Sequence, residues 1–181
     1  MTRPPQIAVV GASAAPLDAL SAAEALGTAL VDAGCRVLCG GRDGIMAAVC
    51  RGAHASPAYT SGATVGILPS ANPADANAWV DFVIPTGLGL ARNAVLVQAS
   101  DAVVAVDGAA GTLSEIALAW QLGVPLCALD TGTGWAAHLA GKAVDDRPPP
   151  PIPPAPPPPP GPARLPPPPR PPPPPPPPAA R

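Results

Sequence analysis

The prolines of this 181-residue chain are concentrated near its C-terminal end, and they divide it into two parts that cannot fold alike. Eight of the 32 prolines precede residue 148, and the other 24 lie between Pro148 and Pro178. Proline has no backbone N–H and a fixed φ, so a tract of this kind disrupts helices and the interior of sheets. We therefore expect one folded domain over residues 1–147. Residues 148–181 are expected to form a disordered Pro-rich tail, extended as polyproline II and without fixed contact to the domain.

Charge follows the same division of the chain. The body holds all 12 acidic residues but only seven of the ten Lys and Arg, while the tail adds Arg164, Arg170 and Arg181. An acidic body argues against a nucleic-acid partner, because a nucleic-acid backbone requires a clustered basic face. A small phosphorylated ligand remains compatible with this charge, since backbone N–H groups can bind a phosphate.

The sequence shows no secretory signal and no apolar run long enough to span a membrane. The two histidines and the scattered cysteines Cys35, Cys39, Cys50 and Cys127 lack the spacing of a zinc site. We expect reduced cysteines, a cytoplasmic location, no membrane partner and no metal ligands.

Short apolar segments alternate with helical ones along the body. The predicted strands are continuously apolar, which indicates burial on both faces, as in a parallel sheet covered by helices. The sequence therefore predicts an α/β fold, a Rossmann-like open parallel sheet with helices on both faces. The predicted strands are Gln6–Val10, Arg36–Cys39, Thr64–Leu68, Asp81–Ile84, Ala102–Val106 and Pro125–Leu129. The predicted helices are Leu17–Ala33, Gly44–Ala55, Leu90–Ala99, Thr112–Leu122 and Trp135–Ala143.

Glycines follow several of these strands, where ligands bind in open α/β sheets. The first strand leads into Gly11 and Ser13 without the Gly-x-Gly-x-x-Gly fingerprint, which disfavours a hydride-transfer enzyme. The segment with Gly40, Gly41 and Gly44 is either a ligand-binding turn or a tight connection in which Asp43 caps the next helix.

Two later segments also have a functional and a structural interpretation. Gly108, Gly111 and Thr112 open a helix where backbone N–H groups can bind phosphate, but Thr112 and Glu115 could instead form a capping box.

Gly87, Arg92 and Asn93 follow the fourth predicted strand. The cation in the first turn of a helix suggests an anionic ligand, and the alternative is a surface salt bridge to Asp101 or Asp107.

Together these segments resemble the Lonely Guy (LOG-like) family. The matching motifs are Gly40-Gly41-x-x-Gly44-x-Met46, Val65-Gly66-Ile67-Leu68-Pro69, Arg92-Asn93 and Gly108-x-x-Gly111-Thr112-Leu113-Ser114-Glu115, in order over roughly residues 6–130. The segment from Thr86 to Asn93 is more similar to the bacterial branch that contains molybdenum-cofactor carrier proteins.

The resemblance implies one of two roles. Enzymes of the family hydrolyse the N-glycosidic bond of a nucleoside 5′-monophosphate to a free base and ribose 5-phosphate, with Arg92 and Glu115 at the positions of their catalytic residues. The carriers bind a phosphorylated pterin without cleaving it. No cofactor is required in either role; the bound molecule would be a nucleoside monophosphate or the molybdenum cofactor.

This sequence departs from the enzyme motif, with Asp107 in place of a proline and Ala109 in place of a glycine. Asp107 is expected to add negative charge near the phosphate, and Ala109 to restrict a backbone that requires positive φ. Both departures favour binding over catalysis. The proline tract also replaces the family's last strand and helix, so the domain is expected to lack its final elements.

Three hypotheses follow: a binding protein for a phosphorylated nucleotide or pterin, a phosphoribohydrolase, and a Pro-rich interaction protein in which the tail is the functional part. The resemblance further implies a homodimer or tetramer. A helical stripe of Leu113, Ile116, Ala117 and Trp120 either packs on the sheet or meets the second subunit.

Overall fold

The computed structural model describes residues 3–145 and 152–155, and within them a single parallel sheet is covered by helices on both faces. The strands are β1 (Gln6–Gly11), β2 (Arg36–Cys39), β3 (Thr64–Leu68), β4 (Phe82–Pro85), β5 (Ala102–Val106), β6 (Leu126–Leu129) and β7 (Pro154–Ala155). The helices are α1 (Leu17–Asp32), α2 (Ile45–Ala55), α3 (Arg92–Gln98), α4 (Ala110–Leu122) and α5 (Gly134–Leu139). The predicted fold class is confirmed.

In the strand order β4-β3-β2-β1-β5-β6-β7, the direction in which successive strands are added to the sheet reverses at its centre, next to β1. The chain winds outward from β1 through β2 and β3 to β4, then returns to the other side of β1 with β5. In open α/β sheets such a reversal separates the loops that follow the two central strands and opens a crevice between them. The topology therefore puts the crevice beyond the carboxyl ends of β1 and β5.

Two apolar clusters hold the helices on the sheet. One joins α1 and α2 to one face of the sheet, through residues such as Val9, Ala23 and Val49. The other joins α3, α4 and α5 to the opposite face, through residues such as Leu96 and Ile116. Ile116 and Trp120 belong to this second cluster, so these two residues of the predicted α4 stripe pack on the sheet, while Leu113 and Ala117 are only half-buried.

The helices α1 and α2 cross closely because two glycines lie at their contact. A side chain at Gly27 would start 2.0 Å from the carbonyl oxygen of Val49, and one at Gly52 would start 1.8 Å from that of Glu24. The Thr28 hydroxyl also donates a hydrogen bond of 2.8 Å to the carbonyl of Gly52. This close approach fixes the position of α2 and therefore of the turn that leads into it.

Residues 152–155 of the Pro-rich segment pack against the domain, which contradicts the prediction that the segment makes no fixed contact and that the domain lacks a final strand. Ile152 is 2 % exposed within the second cluster. The amides of Ala128 and Asp130 donate to the carbonyls of Pro153 and Ala155, so these residues extend the sheet beside β6.

Proline can occupy this position because β7 lies at the edge of the described sheet, where only its carbonyls are used. The predicted extended conformation of the rest of the tail falls outside the described residues. No helix in the described part of the chain is long and apolar enough to cross a membrane.

Candidate phosphate-binding site

A cavity of about 450 Å³ lies beyond the carboxyl ends of the central strands. Four loop segments converge on it, from the connections that follow β1, β2, β4 and β5. Its walls are formed by residues 9–14, Gly40, Arg42, Met46, Leu90, Arg92, Asn93, Ala109, Gly111, Thr112 and Glu115. The sheet reversal thus brings together segments that are up to a hundred residues apart in the sequence.

Most of the residues predicted to form the site lie in this cavity wall. They are Gly11, Ser13, Gly40, Arg92, Asn93, Gly111, Thr112 and Glu115. The other predicted residues, Gly41, Gly44, Gly87 and Gly108, lie outside the wall.

Gly44 and Gly108 shape the loops instead of lining the cavity. Gly44 has φ +65°, and a side chain there would start 2.4 Å from the carbonyl oxygen of Ala12. The amide of Ile45 donates to that same carbonyl at 3.0 Å, which joins the first two loops. Gly44 also precedes the first residue of α2 without a side-chain cap, so the predicted capping role of Asp43 is wrong.

An ion pair between Arg92 and Glu115 lies in the cavity wall. Arg92 Nη1 donates to Glu115 Oε1 at 2.6 Å, and the two side chains are only 11 % and 7 % exposed. Burial raises the pKa of Glu115, and the guanidinium of Arg92 opposes this rise. The alternative of a surface salt bridge to Asp101 or Asp107 is wrong, because Arg92 pairs with Glu115 and Asp101 pairs with Arg3.

A short hydrogen-bond chain holds the ion pair in place. Arg92 Nη1 also donates to Asn93 Oδ1 at 2.6 Å, and Asn93 Nδ2 donates to Ser114 Oγ at 2.7 Å. The chain connects the start of α3 to the first turns of α4. The Nε atom of Arg92 is buried and has no hydrogen-bond partner among the described residues.

The N-terminus of α4 is free of a side-chain cap. The helix begins at Ala110, two residues before the predicted start, and its N-cap residue Ala109 makes no side-chain hydrogen bond. Glu115 bonds to Arg92, so the capping-box interpretation of Thr112 and Glu115 is wrong. Gly111 and Thr112 therefore lie in the cavity wall within the first turn of α4, where backbone N–H groups have no intrahelical partner and the helix dipole is positive.

The two departures from the enzyme motif act differently from the prediction. Ala109 has φ −107° and ψ −157°, an extended conformation that any residue adopts, so alanine does not restrict this loop. Asp107 is 7 % exposed and is not part of the cavity wall. Its φ of +53° is the single positive value at a non-glycine residue in the described chain. The amides of Trp135 and Ala136 bond to the carbonyls of Gly108 and Asp107, so α5 holds this strained turn.

Among the wall residues that were not predicted as part of the site, the longest side chains are Arg42, Met46 and Leu90. Asn77 fixes the backbone of Arg42 through two hydrogen bonds. Its side-chain Nδ2 donates to the Arg42 carbonyl at 2.8 Å, and its backbone N–H donates to the Gly41 carbonyl at 2.8 Å. Arg42 and Met46 stand within the glycine motif itself, which was the available signal. Leu90 is 82 % exposed and offered no signal in the sequence.

The described residues contain no group of three or more His, Cys, Asp or Glu side chains that could hold a metal ion. The side chains that reach the cavity suit an organic anion instead: two guanidinium groups, one carboxylate, amide and hydroxyl groups, and the apolar Met46 and Leu90.

Comparison with known proteins gives a family match and several similar structures. The model of the SLOG cluster4 family matches residues 4–147. The molybdenum cofactor binding protein from the phototrophic bacterium Rippkaea orientalis is 41 % identical, with a TM-score of 0.65, over 71 % of this chain and 78 % of that protein.

Two further structures are similar over much of their length. The molybdenum cofactor carrier protein from Chlamydomonas reinhardtii is 34 % identical, with a TM-score of 0.61, over 70 % of this chain and 77 % of that one. The structural-genomics target TM1055 is 31 % identical, with a TM-score of 0.73, over 83 % of this chain and 92 % of that one.

Proposed function

The chain belongs to the SLOG cluster4 family, and we propose that it binds a phosphorylated pterin cofactor or nucleotide as a carrier. The observation that carries this proposal is the convergence in one cavity of the uncapped N-terminus of α4 and a buried arginine. Proteins similar to this chain are described as binding or carrying the molybdenum cofactor, which supports the pterin class of ligand.

The phosphate would lie on the backbone N–H groups of Gly111 and Thr112. These groups satisfy a phosphate without a compensating side-chain charge, and the dipole of α4 adds to the attraction. The Thr112 hydroxyl is part of the same wall and supplies one more donor. A helix with a capping side chain could not offer these groups, so the absence of a cap favours an anion here.

The rest of the ligand would extend across the end of β1 toward the loop that follows β2. Neighbouring strands lie about 4.8 Å apart, so β5 and β2, on either side of β1, are separated by roughly 10 Å. A phosphorylated heterocycle spans such a distance. Met46 and Leu90 supply apolar contacts for a ring, and Arg42 supplies a cation on a rigid turn.

A first experiment measures binding by calorimetry with AMP, GMP and a phosphorylated pterin. Gly111→Val should abolish binding, because a side chain at Gly111 meets no atom within 4 Å and so occupies the ligand's space without disturbing the fold. Ala110→Val is the matched control, since Ala110 lies one residue earlier, is exposed and is outside the cavity wall. Equal affinities in both variants would contradict the proposed site.

Arg92→Ala gives a second test of the same site. The affinity should fall by about 1.5–3 kcal/mol, the contribution of a hydrogen bond to a charged group. Arg51→Ala is the control, because Arg51 forms a half-exposed pair with Glu24 outside the cavity. Unchanged affinity in Arg92→Ala would place the ligand elsewhere.

Hydrolysis of a nucleoside 5′-monophosphate is the second candidate, favoured by one observation: a carboxylate and an arginine face the same cavity as the phosphate site. Glu115 could stabilise an oxocarbenium-like ribosyl cation and position a water molecule. Its tight pair with Arg92 and its raised pKa favour binding over this role. Incubation with AMP should leave AMP intact; release of adenine and ribose 5-phosphate that is lost in Glu115→Gln would establish the hydrolase.

We also propose a homodimer or tetramer in a reducing cytoplasm. All four cysteines are free thiols, as a reducing compartment requires. The edge strand β4 and the segment after it expose Phe82, Ile84, Leu88, Leu90 and Val95, an apolar surface that a second copy would cover. A light-scattering mass equal to one chain would contradict the oligomer.

A further inference from the structure

Two buried thiols lie behind the cavity wall, and ligand binding does not use them. Cys39 is the last residue of β2 and Cys50 lies in α2, and each is 0 % exposed. Their Sγ atoms are 3.6 Å apart. The next residue after Cys39 is Gly40, which lines the cavity, so the thiol pair lies one residue away from the proposed ligand.

The surroundings of the pair assign different roles to the two sulfur atoms. The amide of Gly41 donates to Cys39 Sγ at 3.3 Å, and a hydrogen bond from Cys50 together with this amide lowers the pKa of Cys39. The hydrogen bond to Cys39 and burial raise the pKa of Cys50. The Gly41 amide stabilises a thiolate at Cys39, and Cys50 Sγ, 3.6 Å away, is positioned to react with an oxidised Cys39.

We propose that Cys39 and Cys50 are an oxidation site, at which a hydroperoxide forms an intramolecular disulfide that displaces the adjoining glycine turn. The Cys39 thiolate attacks one oxygen of hydrogen peroxide and becomes a sulfenic acid, while the O–O bond breaks and the other oxygen leaves as hydroxide, which takes up a proton to give water. The Cys50 thiol then attacks Cys39 Sγ and expels a second water molecule. Two thiols lose two electrons and two protons in total, and one hydrogen peroxide is reduced to two waters.

Formation of the disulfide requires a movement of the two sulfur atoms that the adjoining turn would follow. A disulfide has a sulfur–sulfur distance of about 2.05 Å, so the two sulfurs must approach by roughly 1.5 Å. A side chain at Gly40 would start 2.4 Å from Arg92 Nη2 and 2.8 Å from Met46 Sδ, so Gly40 lies directly against both of these side chains. Movement of Cys39 therefore changes the contact of Gly40 with Arg92, the residue that pairs with Glu115.

The effect on the site links this chemistry to the proposed function. Displacement of Arg92 should weaken the binding of a phosphorylated ligand, a step that rests on the proposed carrier role. Formation of the disulfide and movement of the turn do not depend on any ligand.

The test uses the full, reduced chain and one equivalent of hydrogen peroxide. Titration of the denatured product should find two thiols instead of the four free cysteines, with a mass about 2 Da lower and a peptide that links Cys39 to Cys50. Hydrogen exchange of the Gly41 amide should become faster, because its contact with Cys39 Sγ is altered. Affinity for GMP should fall about tenfold, the scale of one charge-assisted hydrogen bond, and return on reduction.

Variants separate the pair from the other cysteines. Cys50→Ala, which avoids a buried hydroxyl, should stop at a Cys39 sulfenic acid that dimedone traps. Cys35→Ser should still form the disulfide, because Cys35 lies at the opposite end of β2, only half-buried.

Three results would overturn the proposal. In the first, peroxide oxidises Cys35 and Cys127 while Cys39 and Cys50 stay reduced in the folded protein. In the second, the disulfide forms but the exchange of the Gly41 amide does not change. In the third, the disulfide forms and the affinity for GMP is unchanged. If the reduced protein binds no phosphorylated compound, the carrier function is refuted. Disulfide formation and the exchange rate of the Gly41 amide would then still show whether Cys39 and Cys50 are an oxidation site.

Discussion

Ile152 should contribute a large part of the stability of this domain, although it stands inside a proline tract. Its side chain is 2 % exposed and lies in the cluster that holds α3, α4 and α5 on the sheet. Its amide donates to the Lys142 carbonyl at 2.9 Å, and its own carbonyl accepts from the Gly141 amide at 2.7 Å. These two hydrogen bonds fix the backbone of Ile152 on the domain and so keep its side chain in the cluster.

Ile152→Ala should lower the free energy of unfolding by about 3 kcal/mol, the middle of the range for a buried isoleucine cut back to alanine. In a protein of this size each kcal/mol shifts the melting temperature by about 2–4 °C, so the expected decrease is roughly 6–12 °C. Thermal unfolding followed by circular dichroism measures it.

Leu17→Ala serves as the control, since Leu17 is 80 % exposed at the start of α1, lies outside the proposed oligomer surface and should change stability little. A decrease of less than about 1 kcal/mol in Ile152→Ala would refute the reasoning. It would mean that the proline tract does not pack against the sheet in solution.

Three further predictions concern stability. Arg92→Ala should lower the free energy of unfolding in urea by about 3 kcal/mol, because it leaves the Glu115 carboxylate buried and unpaired. The double variant with Glu115→Gln should recover most of this loss. No recovery in the double variant would contradict the ion-pair account. The raised pKa of Glu115 means that its protonated form is favoured in the folded state, so its contribution to stability is full below its ordinary pKa of 4.5 and is lost as the pH rises through the folded value. The stability of the wild type relative to Glu115→Gln should therefore fall as the pH rises above about 4.5, and a parallel pH dependence of the two would show that Glu115 is not responsible. Gly52→Ala should lower the free energy of unfolding by about 2 kcal/mol or more, because the new side chain would start 1.8 Å from a backbone oxygen. Gly111→Ala should be nearly neutral, because a side chain there meets nothing within 4 Å. Equal melting temperatures for the two variants would refute this difference.

The sheet and the convergence of the loops could be predicted from the sequence because they depend on local, repeated signals. Each strand is a short apolar run, and glycines follow several of them. Parallel strands end at the same edge of a sheet, so segments as distant as Gly40 and Gly111 were expected to meet. The cavity wall contains both.

The details of the site depended on contacts that no local signal encodes. Thr112 and Glu115 have the spacing of a capping box, yet the buried guanidinium of Arg92 gives the Glu115 carboxylate a stronger partner than a backbone amide does. Ala109 was expected to need positive φ, but the strain falls on Asp107, where α5 binds the turn. Both outcomes depend on residues that are far away in the sequence.

The final strand could not be predicted because proline composition argues against any strand. A single isoleucine supplies the buried side chain, and an edge position requires only the carbonyls of Pro153 and Ala155. The tertiary contact therefore outweighs the local preference of the tract.

The central claim is that a phosphate binds to the start of α4, and amide chemical shifts test it directly. A titration of ¹⁵N-labelled protein with GMP or a phosphorylated pterin should shift the amide signals of Gly111 and Thr112 most strongly, because their N–H groups would bond to the phosphate. The shifts should disappear in Gly111→Val and persist in Ala110→Val. Shifts that are largest elsewhere, with the Gly111 and Thr112 amides unmoved at saturation, would contradict the account.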